Sequence, residues 1–203
     1  PAFPYKFKIK MAGCPNDCVA SIARSDLSVI GTWRDDIQID QGEMKAYADA
    51  GVDIQSDVID NCPTECMKWD GSTLSINNKM CNRCIHCINV LPKALSPGKD
   101  RGATLLVGGK APILEGAQLA SVIVPFCKME APYTEFKEFV EKLWDVWGEN
   151  GNNRERIGEF ILRVGLGNFT EALEMEPDPN MVLHPRENPY IFYEEYIEEG
   201  DEE

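Results

Sequence analysis

Over residues 5–10 aromatic or aliphatic residues alternate with lysine, the period of a strand with one buried face. Phe7 and Ile9 would supply the buried side, leaving Lys6, Lys8 and Lys10 on the other. Gly13-Cys14-Pro15-Asn16-Asp17-Cys18 interrupts the alternation, and an apolar-periodic run through Val19, Ile22 and Ala23 follows. Pro15 suits a helix's first turn, where no N–H is needed, and Asp17 suits the positive end of the helix dipole. The expectation is strand, turn, short helix. A second strand is predicted over 27–30 and a helix over 44–50. Asp70-Gly71 breaks a predicted hairpin over 68–76. Strands are predicted again over 103–107 and 121–126, separated by a Gly108-Gly109 turn and a loop. Phe136, Phe139, Val140, Leu143, Trp144 and Trp147 then recur at helical spacing, and Ile157, Phe160, Ile161 and Val164 repeat the device. Stripes of this kind ordinarily pack a core.

These elements predict an α+β fold in three segments. Residues 1–40 would begin an α/β domain, 41–100 would be a small Cys-rich and turn-rich insert, and 101–203 would return to the first domain with helices and an acidic tail. Residues 194–203 hold seven acids and no base, the pattern of a solvated end. The chain opens Pro1-Ala2-Phe3 without Met and runs almost at once into a strand, so it reads as a fragment with an upstream portion missing.

Composition narrows the function classes. In 203 residues, 43% are hydrophobic and four are Trp, enough to bury a core. A formal charge of -14 argues against nucleic acid, whose binding needs clustered cations. No run approaches the roughly 20 apolar residues of a bilayer span, and no export signal pattern opens the chain, so a cytoplasmic protein is expected.

Eight cysteines, at 14, 18, 62, 66, 81, 84, 87 and 127, then need an explanation. A disulfide scaffold would normally be smaller and secreted, so metal or cluster ligation is the expectation. Cys81-x2-Cys84-x2-Cys87 has the spacing that wraps three corners of a cubane. In bacterial ferredoxins such a run continues x3-Cys-Pro, its last Cys serving a twin cluster. Here Leu91-Pro92 stands at that place, while Cys62-Pro63 stands alone with Val52, Gln55 and Val58 at the three upstream positions. Cys62, Cys81, Cys84 and Cys87 are thus the candidate ligands of one [4Fe–4S] cluster. Zinc competes, though it favours two separated Cys pairs. Cys66 and Cys127 are expected to be plain buried thiols, His86 to bond locally and His184 to lie in a loop.

Cys14-x3-Cys18 would set two thiols one helical turn apart, beside a Gly13 that lets backbone approach a cofactor. On spacing alone it could equally be a pair of small buried residues. Gly13-Cys14-Pro15-Asn16-x-Cys18, however, resembles the second half of the siroheme–[4Fe–4S] motif of sulfite and nitrite reductases. The run over 7–26, Ile30-Gly31-Thr32-Trp33, Pro92-Lys93-Ala94-Leu95, Gly108-Gly109-Lys110 and Pro177-Asp178-Pro179-Asn180-Met181 resemble the alpha subunits of dissimilatory siroheme sulfite reductases. The resemblance implies a partial siroheme-type domain, with Cys14 and Cys18 holding a siroheme-coupled [4Fe–4S] cluster. Cys18 would bridge to the siroheme iron, and an upstream Cys pair would complete the cluster.

The same resemblance implies that Lys6, Lys8 and Lys10 line a sulfite pocket and assist protonation. Alone, such a stripe could equally be a solvated strand face. The implied activity is the six-electron reduction of sulfite to sulfide, or its reverse in sulfur oxidation. The implied partners are a paralogous beta subunit in an alpha2beta2-type heteromer, a small sulfur-carrier protein and an electron donor. An assimilatory-type sulfite or nitrite reductase, a ferredoxin-type electron carrier, and a subunit whose own siroheme is structural remain alternatives at this stage.

Overall fold

The computed structural model describes residues 3–111, 116–176 and 178. In chain order its elements are β1 Ile9–Ala12, α1 Ser21–Arg24, β2 Leu27–Trp33, β3 Gln38–Ile39, α2 Gln41–Asp49, a π-helical stretch Gln55–Ile59, β4 Met67–Trp69 and β5 Leu74–Ile76. There follow α3 His86–Val90, β6 Leu95–Ser96, β7 Arg101–Val107, β8 Ser121–Lys128, α4 Thr134–Asn150, α5 Ile157–Val164 and α6 Leu166–Ala172. The chain divides into two units, one running to Thr32 and resuming at Gly102, the other Trp33–Arg101.

The first unit is built on a four-stranded sheet in the order β1-β2-β7-β8. β1 and β2 are parallel, Ile9 facing Leu27 and Met11 facing Val29, while β7 and β8 are antiparallel. β2 is central and buried along nearly its whole length, as its run of Leu27, Val29 and Ile30 requires. Leu27, Val29, Leu105, Val107 and Ile123 form a core with Leu143 and Trp147 of α4 and Ile157 and Phe160 of α5. The aromatic stripe of α4 is thus core packing. Phe7 packs on Trp144 and Trp147 with ring centroids 5.7 and 5.8 Å apart.

Two local expectations need correction, and one element was not foreseen. The first strand begins at Ile9, four residues later than its alternation suggests, and Ile9 is 40% exposed because β1 is the sheet's edge. The first helix starts at Ser21 and leaves Cys14 and Cys18 on turns, because Asp17 and Ala20 adopt left-handed φ of 42° and 49°. α6, a seven-residue helix containing glycine, carries too little periodicity to be read.

In the second unit β4 and β5 make the predicted hairpin, pairing Met67 with Ile76 and Trp69 with Leu74. The Asp70 carboxylate accepts from the N–H groups of Ser72 and Thr73 at the bend. β3 pairs antiparallel with β6. A separate core gathers Trp33, Ile37, Met44, Ile54, Val58, Leu74, Leu91 and Leu95 around Cys66, Cys81 and Cys87. Asp40 caps α2, accepting from the Gly42 and Glu43 N–H groups. His184, the acidic tail and most of 177–181 lie outside the described residues.

The first unit also buries a charge pair. Arg156 Nε lies 2.6 Å from Asp26 Oδ1, the two side chains 5% and 1% exposed. Asp26 Oδ2 accepts from the Lys8 N–H at 2.8 Å, and the Asp26 carbonyl accepts from the Gly108 N–H at 2.9 Å. Burial pushes the Asp26 carboxyl above its usual range, and the guanidinium only partly counters it. Removing one member of such a pair strands the other out of water, at a cost of about 3–5 kcal/mol. Arg156→Met should therefore lower stability by about that amount in urea titrations. Arg163→Met, which breaks a more exposed pair with Glu155, should change it less. Equal midpoints for the two variants would contradict the reading.

Candidate cofactor sites

The second unit gathers thiols around one recess. Its volume is about 330 Å³ with the solvent-open mouth included, and its wall holds Cys62, Cys66, Cys81, Cys84 and Cys87 among Ile37, Met67, Ile76 and Ile85. Backbone geometry explains how one loop aims three thiols inward. Arg83 and Ile85, the residues flanking Cys84, take φ of 57° and 58°. For a β-branched residue such as Ile85 this is a true outlier, of the kind a fold keeps where function demands it. The Arg83 N–H reaches the Cys81 sulfur at 3.4 Å, and the Cys84 N–H reaches Asn82 Oδ1 at 3.2 Å. Cys87 opens into α3, where the Leu91 N–H donates to its carbonyl.

Cys62 arrives from the end of the π-helical stretch, its N–H donating to the Ile59 carbonyl. Glu65 then turns left-handed at φ 50°, which brings the Cys62 and Cys66 sulfurs to 3.5 Å. Cys66 is thus part of the recess wall, a placement for which the ferredoxin spacing gave no signal. A thiol four residues from Cys62 at a turn was the only hint. His86, expected to bond locally, instead has Nε2 3.4 Å from the distant Asp57 carbonyl.

The electrostatics disfavour the thiolate at Cys66 and Cys87 and favour it at Cys81. A hydrogen bond with Cys81 pushes the Cys66 thiol up, and the same bond pulls Cys81 below the usual thiol value. Burial, with the neighbouring Cys84 charge, pushes Cys87 up to about 12. Buried Arg83 places its guanidinium 6.0 Å from the Trp33 ring centroid and donates to the Cys81 carbonyl. Sulfurs so crowded stay thiolate together only when metal ions are bound among them. Among the described residues no three His, Cys, Asp or Glu side chains group as a single ion's ligand set does. The thiols instead line the recess wall, and a cubane takes one thiolate at each of its four irons.

The other candidate residues lie in the first unit. Cys14 is buried and Cys18 exposed, on the turns between β1 and α1. The Asp17 carboxylate accepts from the Ser21 N–H at 2.9 Å, the Ser21 hydroxyl at 2.6 Å and the Ile22 N–H at 2.9 Å, tying the turns to the helix. Close approach is what Gly31 provides: a Cβ there would stand 2.6 Å from the Gly13 carbonyl, whereas one at Gly13 would meet nothing. Gly31 thus lets the Cys14 turn rest against β2. Two thiols supply at most half of a cubane's corners, so these residues fit one half of a second cluster site.

Lys6 and Lys8 are exposed, and Lys10 is half-buried. Lys6 Nζ lies 5.4 Å from the Tyr5 ring centroid. Lys10 Nζ donates to the Val19 carbonyl at 2.8 Å, which brings the third lysine against the residue that follows Cys18.

Residues 1–179 match the family described as nitrite and sulphite reductase 4Fe-4S domain. The chain is 55% identical over 210 residues to the dissimilatory-type sulfite reductase subunit alpha of Nitratidesulfovibrio vulgaris, a match covering 96% of this chain and 48% of that one. It is 47% identical over 178 residues to the subunit of the same description from Megalodesulfovibrio gigas, covering 80% and 90%. The solved structure titled dissimilatory sulfite reductase I superposes with a TM-score of 0.79 at 51% identity, covering 97% of this chain and 49% of that one. The chain therefore spans about half the length of the Nitratidesulfovibrio relative and of that solved chain. The α+β architecture is that of a dissimilatory sulfite reductase chain. Among the described residues no helix is long and apolar enough to cross a membrane.

The Asp17 contacts give a test of how the Cys14–Cys18 turns are held. Asp17 is not the N-cap residue, but its carboxylate accepts from the first helical N–H groups as a cap does, and losing such bonds costs about 0.5–2 kcal/mol. Asp17→Ala should destabilise the chain by that amount in urea titrations and Asp17→Asn by less. Equal stability of both variants and the parent would show that the turns are held otherwise.

Proposed function

The chain belongs to the dissimilatory-type sulfite reductase alpha-subunit family, within the nitrite and sulphite reductase 4Fe-4S domain family, and from that premise we propose that it is the cluster-bearing part of a siroheme sulfite reductase subunit. The observation that carries the proposal is the recess in which Cys62 meets Cys81, Cys84 and Cys87. These four would hold a [4Fe–4S] cluster, making the unit Trp33–Arg101 a ferredoxin-like insert. Cys14 and Cys18 would supply two of the thiolates of the siroheme-coupled cluster, Cys18 coupling it to the siroheme.

When bound, these cofactors supply single electrons for the six-electron reduction of sulfite. The chain's own residues bind and orient. Lys6, Lys8 and Lys10 would hold the small dianion by charge and hydrogen bonds, and offer protons to the oxygens it loses. Lys10, already anchored beside Cys18 through the Val19 carbonyl, is the lysine held nearest the motif by a hydrogen bond. Buried Arg83 would offset negative charge on the insert's cluster.

A beta subunit in an alpha2beta2-type assembly, a small sulfur-carrier protein and an electron donor belong to the same proposal, the first supported by the relatives' description as subunit alpha. A cytoplasmic setting belongs to it too, supported by the cluster-type spacing of Cys81, Cys84 and Cys87, which suits a reducing compartment better than a disulfide framework.

Two measurements on the complete heteromer test this reading. Cys62→Ala should lose about four irons per chain relative to the parent, while Cys66→Ser should keep them. Retention of all iron in Cys62→Ala would refute the ligand set. In steady-state sulfite reduction, each lysine changed to alanine should reduce turnover by roughly one to two orders of magnitude, since charged hydrogen bonds contribute about 1.5–3 kcal/mol. Siroheme absorbance and thermal unfolding should be unchanged. Normal turnover in all three variants would make the stripe a solvated face only.

A further inference from the structure

Four thiols complete the proposed cubane, and a fifth remains in the same wall. Cys66 is 8% exposed, lines the recess, and has its sulfur 3.5 Å from that of Cys62. Cys81 lines the same recess. The position of Cys66 is set by the fold. The Glu65 turn directs it inward, and the Asn77 N–H donates to its carbonyl at 2.7 Å, locking it to the base of the β4–β5 hairpin.

A thiol coordinated to iron has lost its proton. In the loaded site Cys62 could therefore only accept, and the hydrogen in this contact must come from Cys66. We infer that Cys66 is a positioning residue for the cluster: it stays uncoordinated and donates its S–H to the ligand sulfur of Cys62, raising the cluster's reduction potential. The inference rests on the ligand assignment proposed above. Reduction adds negative charge to cluster and ligands, so a donor to a ligand sulfur bonds more strongly to the reduced form and favours it. The Thr64 hydroxyl, 3.7 Å from the Cys62 sulfur, is a second possible donor, so the comparison below leaves it in place.

The test uses the complete heteromer with Cys66→Ala, Cys66→Ser and Cys62→Ala, reading iron content and a potentiometric EPR titration of the insert's cluster. Cys66→Ala should keep the parent's iron while its reduction equilibrium shifts toward the oxidised form by up to about tenfold, which is 59 mV for one electron. Cys66→Ser, which keeps a hydroxyl donor, should recover most of that shift. An unchanged potential in Cys66→Ala with full iron would overturn this inference and leave the ligand set standing. Loss of iron from Cys66→Ala would make Cys66 a ligand and overturn it as well. Retention of the cluster in Cys62→Ala would overturn the ligand assignment, and the inference with it.

Discussion

The first unit depends on a carboxylate that has almost no contact with water. Asp26 sits where β1, β2, β7 and α5 meet, accepting from the Lys8 N–H and from Arg156 while its own carbonyl receives the Gly108 N–H. Once such a charge is buried, every element that satisfies it must arrive in register, because a missing partner leaves an unpaired charge in a medium that cannot solvate it. The consequence reaches the proposed chemistry. Lys8 is held by its backbone at the edge of the sheet, which leaves its side chain and that of Lys6 exposed. The Cys14–Cys18 turns are fastened at both ends, by the Gly13–Gly31 contact and by the Asp17 carboxylate.

The second unit meets a different constraint. A segment of this size buries a modest core and gains most from a bound metal or cluster that ties distant stretches together. Its apolar residues surround Cys66, Cys81 and Cys87, so the core and the proposed cluster site are one body of packing. That arrangement accounts for the left-handed Ile85. The strain is local, whereas a cluster bound to four thiolates would draw on bonds from two stretches of chain. Arg83, stacked near Trp33, puts a fixed positive charge beside sulfurs that repel one another.

Much of this was legible in the sequence, and for identifiable reasons. Cys81, Cys84 and Cys87 lie within one tight loop, so their spacing alone carries their geometry. The α4 and α5 stripes and the β4–β5 hairpin are likewise local, set by helical period and by an Asp-Gly bend. The Cys14–Cys18 stretch misled because proline, aspartate and apolar residues at helical spacing satisfy the rules for a helix start. Nothing local announces that Asp17 and Ala20 will adopt positive φ.

By itself, then, the sequence determined which side chains could do chemistry and which short segments would fold in a given way, since spacing and period act within a few residues. The tertiary structure decided what those segments meet. It exposed Ile9 by leaving β1 at the sheet's edge, put Lys10 against Val19, and turned Glu65 so that Cys66 joined the recess. It also paired Asp26 with Arg156 across the length of the chain. Contacts between residues far apart in sequence leave no periodic trace in either partner. They exist only because burying apolar surface brings those elements together and every buried polar group must then find a partner.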